Sequence, residues 1–268
     1  MYDADRTHMT SSFDLLEMIQ DVADRLISPR WRALAAGEVE EKRPGDFVTV
    51  ADREAEQAIT EALRRVFPQA LVVGEEAVFA NPLLLGALPS AEHAFVVDPV
   101  DGTRNFVQGS PDHAVMVGEL RAGEPVRAWI WQPQHRRAYL AERGAGATCN
   151  GERLSVPQRA GRPYLESSVR GVSGVDSALL AQPVPPSSQC CGVDYPRVAT
   201  GEVDALVYRS ANPWDHVPGA VLLRELGGVV RAPDGSDYHP GTSGSSTVVV
   251  AGSPEIFNTV QAVLSEQG

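Results

Sequence analysis

Apolar residues recur at helical spacing in two stretches near the start of the chain. In the first stretch they follow intervals of three and four residues: Leu15, Leu16, Ile19, Val22, Ala23 and Leu26. Serine is a frequent helix N-cap, so Ser11 and Ser12 predict where this helix begins. The same periodicity predicts a second amphipathic helix from about Ala51 to Val66. Each helix is therefore expected to cover a core with one face.

Short apolar runs predict buried strands between the helices. The run Leu71 to Val73 ends at Gly74, and the run Ala94 to Val97 leads directly into a pair of carboxylates. From Ala114 to Leu140 the pattern is that of strands, with turns at Ala122-Gly123 and near Pro133 to Arg136. This part of the chain is predicted to form an antiparallel meander.

The C-terminal half alternates helices and strands. The predicted elements are a helix near Val193–Thr200, a strand at Val203–Tyr208, a helix after Pro213 that ends at Gly227-Gly228, a strand at Val248–Ala251 and a helix capped by Ser253. Such a mixture predicts a layered α/β or α+β fold. Residues 1–10 are predicted to be a flexible tail and residues 11–268 a single domain. A weak border near 151–162 would divide that domain into subdomains 11–150 and 151–268.

Composition excludes some classes of function. The 268 residues carry a formal net charge of −12, which argues against a protein that grips nucleic acid or an anionic membrane. The three cysteines have no repeated spacing, so we expect reduced thiols and a cytoplasmic protein. We find no apolar run of about 18 residues, the length that a membrane-spanning helix needs, and expect no signal peptide.

The segment Asp98-Pro99-Val100-Asp101-Gly102-Thr103 holds the first candidate chemistry. It places two carboxylates three residues apart at the end of a buried strand, with Pro99 expected to stiffen a turn between them. Carboxylates and carbonyl oxygens are hard ligands that suit Mg²⁺ or Mn²⁺. If a helix begins near Asn105, free N–H groups at Gly102 and Thr103 can point at a phosphate. Alternatively, the two aspartates only cap a turn and a helix.

Further carboxylates stand at comparable places: Glu75 and Glu76 follow a strand end, Asp215 opens a helix, and Asp52 starts another. Together these segments resemble the inositol monophosphatase family. Its D-x-V-T-x-x-D, G-E-E, D-P-[IV]-D-G-T-x-N-F and W-D-x-x-x-G motifs occur here in order, at 46–52, 74–76, 98–106 and 214–219. The resemblance covers nearly the whole chain beyond the tail. It implies an α+β fold, a layered αβαβα sandwich, and a magnesium-dependent, lithium-sensitive phosphomonoesterase that is commonly a homodimer.

The resemblance also implies a role for each motif residue. Two or three Mg²⁺ ions, replaceable by Mn²⁺, would be held by Glu75, Asp98, the Val100 carbonyl, Asp101 and Asp215. Thr103, with Asp52 behind it and Glu75 nearby, would orient the attacking water, and the backbone of Gly102 and Thr103 would bind the phosphate. Two metals about 3.5–4 Å apart can activate water at neutral pH, so no covalent phosphoenzyme is required.

The identity of the substrate stays open at this point. Inositol phosphatases of the classical type have an acidic residue where this chain has Tyr208, and Cys190-Cys191-Gly192 replaces their G-[ST]-A stretch. The candidate substrate contacts are therefore Cys191, Asp194, Tyr208 and Arg209. The alternatives to an inositol phosphate are histidinol phosphate, a 3′-phosphonucleotide or NADP, and fructose 1,6-bisphosphate. A different class is a non-catalytic protein that binds transcription complexes.

Three further residues lie close to the motifs. Lys42 is expected to be a solvated loop charge, although a place near the metal-lined mouth is the alternative. His216 is expected to be a packed histidine. Arg104 lies inside the central motif, where it could reach the phosphate or another subunit. The expected partners are a small phosphorylated metabolite and a second copy of the chain, without direct contact to nucleic acid or membrane.

Overall fold

The computed structural model describes residues 11–155, 161–241 and 246–266. The predicted tail, residues 1–10, lies outside the described residues. The α-helices are α1 Ser12–Val22, α2 Val50–Val66, α3 Glu75–Ala80, α4 Leu83–Ala87, α5 Thr103–Val107, α6 Cys191–Ala199, α7 Pro213–Arg224 and α8 Pro254–Ser265. Within the described ranges, no helix is both long enough and apolar enough to cross a membrane.

The strands are β1 Val39–Arg43, β2 Asp46–Thr49, β3 Leu71–Gly74, β4 His93–Asp101, β5 Ala114–Arg121, β6 Glu124–Gln132, β7 Arg137–Glu142, β8 Gly146–Cys149, β9 Glu152–Arg153, β10 Leu165–Ser167, β11 Ala205–Tyr208, β12 Val229–Arg231 and β13 Val248–Ala251. The predicted meander is confirmed, because β5, β6 and β7 pair antiparallel in sequence order. The strand expected from Val203 begins at Ala205 instead.

The helix starts follow from local chemistry. Ser11 accepts from the backbone N–H of Asp14, whose carboxylate accepts from Ser11 in return, so α1 begins with a capping box. Thr49 and Asp52 form a second capping box at the start of α2. The same Asp52 is a predicted site residue. Its carboxylate therefore both caps α2 and accepts a hydrogen bond from the Thr103 hydroxyl.

One large sheet has the strand order β3-β4-β5-β6-β7-β8-β9. Helices α1 and α2 cover one of its faces, where Phe95 and Val97 of β4 pack with Ile19 and Ile59. The neighbouring residue Val96 points to the opposite face, because successive side chains of a strand alternate.

A second sheet has the order β10-β11-β13-β12. Helices α6 and α7 lie between the two sheets, where Leu206 of β11 and Val96 of β4 belong to one core. On the far face of the second sheet, Val207 packs with Phe257 and Val260 of α8. The layers are therefore helix, sheet, helix, sheet, helix, which confirms the αβαβα sandwich.

Strand β4 is irregular where it carries the two aspartates. Asp98 is opposite Met116 and Asp101 is opposite Ala114, so three steps along β4 match two steps along β5. In a regular strand, residues three apart point to opposite faces. The extra residue of this bulge brings Asp98 and Asp101 to the same side. The turn predicted around Pro99 is therefore wrong: the segment stays in the strand as a bulge.

Helix α5 begins two residues earlier than the sequence predicted. Its first residue is Thr103 rather than one near Asn105, and Gly102 caps it with φ of +79° and ψ of 37°. This left-handed conformation favours glycine. A Cβ on Gly102 would also lie 3.0 Å from the carbonyl oxygen of Asp112. The sharp exit from β4 thus depends on glycine at this position.

Candidate active site

Three carboxylates converge where β4 meets the start of α7. Oxygens of Asp98, Asp101 and Asp215 all lie within 4.8 Å of one another. The bulge of β4 aligns the first two, and Pro213 starts α7 so that Asp215 lies in its first turn. In the described ranges, no lysine, arginine or histidine forms an ion pair with these three side chains.

Burial and mutual repulsion disfavour the charged form of this cluster. Burial, with the nearby Asp101, raises the pKa of Asp215 to about 7. Burial also raises the pKa of Asp101 to about 6, and burial and the neighbouring carboxylates raise that of Asp98 well above its usual range. A bound cation would favour the charged carboxylates, so this clustering is typical of a metal-binding site.

Glu75 completes the cluster from the start of α3. It lines the same mouth as the three aspartates, and burial raises its pKa to about 8, with Asp215 adding repulsion. The neighbouring Glu76 is not among the residues that line this mouth, and its Oε1 accepts from the Lys42 ammonium at 2.8 Å. Glu75, rather than Glu76, therefore faces the aspartates.

Lys42 is not the solvated loop charge that we expected from the sequence. Its side chain is only 4% exposed, and its ammonium donates to Glu75 Oε1 at 2.9 Å and Glu76 Oε1 at 2.8 Å. Lys42 lies in β1, 33 residues before Glu75 in the chain. The two acidic partners raise the pKa of Lys42 above its ordinary value even though burial lowers it, so the ammonium stays charged beside the site.

Thr103 and Asp52 form a second functional unit. The Thr103 hydroxyl lies 3.0 Å from Asp52 Oδ1 and 3.0 Å from the Val100 carbonyl oxygen, and both are acceptors. The other Asp52 oxygen accepts from the Thr49 backbone N–H at 2.9 Å. Burial raises the pKa of Asp52 to about 6. A hydroxyl whose proton is directed at a carboxylate keeps its lone pairs for a water molecule.

The N-terminus of α6 supports Asp101. The Cys190 thiol donates to Asp101 Oδ2 at 2.9 Å, and the Gly192 backbone N–H donates to the same oxygen at 2.5 Å. A Cβ on Gly192 would lie 2.4 Å from the Ala114 Cβ, so only glycine allows α6 to approach this closely. The sequence predicted a substrate contact for Cys191 and no role for Cys190. No local pattern distinguishes the two cysteines, because the contact joins residues far apart in the chain.

The mouth above the carboxylates has a volume of about 300 Å³. Its lining includes most of the predicted metal and phosphate residues: Glu75, Asp98, Val100, Asp101, Gly102, Thr103 and Asp215. Its rim adds Gly45 and Gln189, for which the sequence predicted no role, and Asp46 and Phe47, to which the motif at 46–52 gave no role. Arg104, inside the central motif, is also part of this rim.

The four predicted substrate contacts lie outside this lining. Asp194 and Tyr208 are buried against each other, with the Tyr208 hydroxyl donating to Asp194 Oδ2 at 2.8 Å. Asp194 also accepts from the Ser188 backbone N–H at 3.1 Å. The Asp194–Tyr208 pair therefore supports the segment that carries the lining residue Gln189. Cys191 is buried beside them. Arg209 is exposed, and its contact with substrate stays a prediction.

His216 is packed, as the sequence suggested. Its Nε2 donates to the Ser210 carbonyl at 2.6 Å, and its Nδ1 accepts from the Tyr195 hydroxyl at 2.8 Å. Burial lowers the pKa of His216 to about 4. The ring is therefore neutral and holds the loop that leads into α7.

Comparisons with known proteins identify the family of this chain. Residues 11–267 match the profile of the inositol monophosphatase family. The chain belongs to this family. It is 34% identical over 214 residues to a Nus factor SuhB from Pseudomonas aeruginosa, covering 74% of this chain and 76% of that protein.

Two other similarities concern phosphatases. The chain is 33% identical over 208 residues to a fructose-1,6-bisphosphatase/inositol-1-monophosphatase from Aquifex aeolicus, covering 71% and 74% of the two chains. A solved inositol monophosphatase from Thermotoga maritima superposes with a TM-score of 0.77 at 26% identity, covering 96% of this chain and 98% of that one. The family identifies the chain as a phosphomonoesterase, and the solved structure confirms the fold.

Proposed function

We propose that this protein hydrolyses a small phosphate monoester with Mg²⁺ in the mouth formed by β4, α3, α5 and α7. The observation that carries the proposal is the convergence of Asp98, Asp101 and Asp215, with oxygens within 4.8 Å, beside the Thr103–Asp52 hydrogen bond. The first feature supplies hard ligands for a divalent ion, and the second supplies a path for a proton.

The residues present fit Mg²⁺ by their chemistry. All the candidate ligands coordinate through oxygen. The pKa values of the buried Asp98 and Asp215 are raised, and a bound cation would lower them again. Glu75, Asp98 and the Val100 carbonyl would hold one ion, and Asp98, Asp101 and Asp215 another. When bound, Mg²⁺ neutralises the phosphate oxygens and lowers the pKa of water. We expect Mn²⁺ to replace Mg²⁺ and Li⁺ to inhibit.

Thr103 and Asp52 orient the attacking water molecule and take up its proton. The Thr103 hydroxyl donates to Asp52, so its lone pairs accept a proton from the incoming water, and Asp52 receives the proton of the hydroxyl. The pKa of Asp52, raised to about 6, is close to the range in which a general base works at neutral pH. The free backbone N–H groups at the start of α5 face the phosphate.

The balance of the reaction is simple. Water adds its oxygen to phosphorus, the bond from phosphorus to the ester oxygen breaks, and the leaving alcohol takes up a proton. The products are the alcohol and inorganic phosphate. We propose direct attack by water, because Asp98 and Asp101 serve as ligands here and no covalent phosphoenzyme is required.

A role in transcription complexes is the second candidate, because a relative with 34% identity is a Nus factor. That role does not require Asp98, Asp101, Asp215, Glu75, Asp52 and Thr103 to be kept together. Their joint presence therefore favours hydrolysis as a retained activity, whether or not the chain also binds a partner.

The test is phosphate release from a panel of monoesters with and without Mg²⁺. The panel contains inositol 1-phosphate, histidinol phosphate, NADP, adenosine 3′,5′-bisphosphate and fructose 1,6-bisphosphate. We expect Asp101→Asn and Asp215→Asn to lose metal-dependent turnover while remaining folded. The matched control is Asp237→Asn, which removes an exposed carboxylate paired with Arg231 at 2.9 Å. Near-normal turnover by either site variant would contradict the assignment.

A further inference from the structure

The rim of the mouth differs in charge from its floor. The floor is made of carboxylates, whereas the rim carries the guanidinium of Arg104, beside Gly45 and Phe47, as well as the carboxylate of Asp46. We infer that Arg104 binds a second anionic group of the substrate, so that the preferred substrate carries a further phosphate or carboxylate besides the phosphate that is cleaved. This inference rests on the proposed function and narrows its substrate class.

Arg104 is held in place by the β1–β2 hairpin. Its Nη2 donates to the Gly45 carbonyl oxygen at 2.8 Å, and its guanidinium carbon lies 6.0 Å from the centre of the Phe47 ring. The backbone contact holds one N–H group of the guanidinium against the hairpin. An arginine ordered before binding loses less side-chain entropy when it contacts a ligand.

The remaining donors of Arg104 are available. Of the residues that the structure describes, none accepts from its Nε or Nη1, and no carboxylate lies within 4.0 Å of it. The side chain is exposed to the solvent of the mouth. A guanidinium presents a planar fork of N–H groups that matches the oxygens of a phosphate or a carboxylate.

Among the described residues, Lys42 is also a cation close to the mouth, and it is already paired. Lys42 donates to both Glu75 and Glu76, and its side chain is 4% exposed. The second anionic group of a substrate would therefore be repelled by the carboxylates of the floor and would bind the guanidinium of Arg104. Since bound metal ions would be engaged by the phosphate to be cleaved, the second group needs a cation of the protein itself.

The predicted substrate-contact residues do not favour a neutral polyol. Asp194 accepts from the Tyr208 hydroxyl and lies fully buried, so neither predicted position offers a free carboxylate to a ring hydroxyl. Gln189, with φ of +64°, is a further rim residue. Arg104 is thus a rim residue that can select a leaving group with a further negative charge.

The experiment compares substrates that share the reacting phosphate. Fructose 1,6-bisphosphate is paired with fructose 1-phosphate, and 2-phosphoglycerate with glycerol 2-phosphate. We expect kcat/KM to be at least about tenfold higher for the doubly anionic member of one pair, as a charged hydrogen bond of this kind predicts. In Arg104→Gln the preference should fall by at least about tenfold, with the change mainly in KM, and Arg104→Lys should keep part of it.

A binding measurement separates recognition from turnover. In an Asp52→Asn background, which slows hydrolysis, calorimetry with fructose 1,6-bisphosphate and Mg²⁺ should show weaker binding after Arg104→Gln by a similar factor. Arg25→Gln, which removes an exposed arginine paired with Asp21 at 2.7 Å, is the control for the change in net charge. It should leave both measurements unchanged.

Three outcomes would overturn the inference. The first is equal kcat/KM of the wild-type protein for both members of each pair, which would leave the proposed function intact. The second is an equal loss of kcat/KM for both members in Arg104→Gln, which would make Arg104 a support of the hairpin only. The third is loss of the preference in Arg209→Gln but not in Arg104→Gln, which would assign the second group to the exposed arginine. Absence of hydrolysis of every monoester would instead contradict the proposed function.

Discussion

The thiol of Cys190 donates a hydrogen bond to the carboxylate of Asp101 at 2.9 Å, although 89 residues separate the two in the chain. Cys190 is 1% exposed, and burial raises the pKa of its thiol well above the ordinary value, so it remains a neutral donor. The Gly192 N–H donates to the same oxygen. Asp101 is thereby held toward Asp98 and Asp215 by the start of α6.

Removing this thiol should weaken metal binding without removing a ligand. We expect Cys190→Ala to reduce Mg²⁺ affinity about threefold to tenfold, the effect of losing one hydrogen bond of about 0.5–1.5 kcal/mol. Cys190→Ser keeps a donor and should stay close to the wild type. Calorimetric titration with Mg²⁺ measures the change, and Cys149→Ala on β8 is the control. Equal affinities in the Cys190→Ala and Cys149→Ala proteins would argue against a positioning role.

Thr103 and Asp52 should act as one unit in turnover. Thr103→Val removes the hydroxyl with little change in volume, and we expect kcat to fall about 10²- to 10⁴-fold because the water loses its proton acceptor. Asp52→Asn should give a comparable loss, and the double variant should be no worse than either single one. Steady-state kinetics of the two single variants and the double variant measures these changes in kcat.

Thr103→Ser keeps the hydroxyl and should retain most of the activity. Thr200→Val, which removes a hydroxyl that donates to the Pro196 carbonyl on α6, is the control for folding effects. Multiplicative losses in the double variant would mean that Thr103 and Asp52 contribute separately.

Lys42 should stabilise the metal-free protein more than the loaded one. Lys42→Met leaves Glu75 and Glu76 without their shared cation, and we expect a loss of about 1–3 kcal/mol in the free energy of unfolding, between an exposed and a buried ion pair. Saturating Mg²⁺ should reduce this loss, since the ion supplies the missing charge at Glu75. Urea unfolding with and without Mg²⁺ measures both values, with Arg25→Gln as the control. A loss that Mg²⁺ does not change would contradict this account.

The metal-free protein should become less stable as the pH rises from 5 to 8. Burial raises the folded-state pKa of Asp52 and Asp101 to about 6, of Asp215 to about 7 and of Glu75 to about 8. Because these carboxyls bind protons more tightly when folded, their stabilising contribution is complete below the unfolded pKa of about 4 and is lost through the folded values.

Thermal unfolding across this pH range measures the effect. The melting temperature of the metal-free protein should fall toward pH 8, and the stabilisation by Mg²⁺ should be largest there. In Asp101→Asn/Asp215→Asn two of the titrating groups are absent, so the decline should be shallower. A melting temperature that stays constant from pH 5 to 8 would show that these groups do not carry their raised pKa values.

Much of the fold could be predicted from periodicity. The apolar spacing from Leu15 to Leu26 and from Ala51 to Val66 predicted α1 and α2, because a helix that covers a core needs an apolar stripe at this interval. The alternation from Ala114 to Leu140 likewise predicted β5 to β7. Local boundaries were less accurate at Val203 and Asn105, since helix and strand ends depend on caps and on neighbouring elements.

The sequence by itself determined the chemical inventory of this protein: carboxylates in four motifs, a threonine and glycine at a strand end, and an apolar pattern for a layered fold. Only the tertiary structure decided how that inventory is used. The bulge of β4 turns Asp98 and Asp101 to one side, Lys42 on β1 contacts Glu75, and the Cys190 thiol contacts Asp101. The physical reason is that these contacts join segments far apart in the chain, and their geometry depends on how the packed sheets and helices place each backbone.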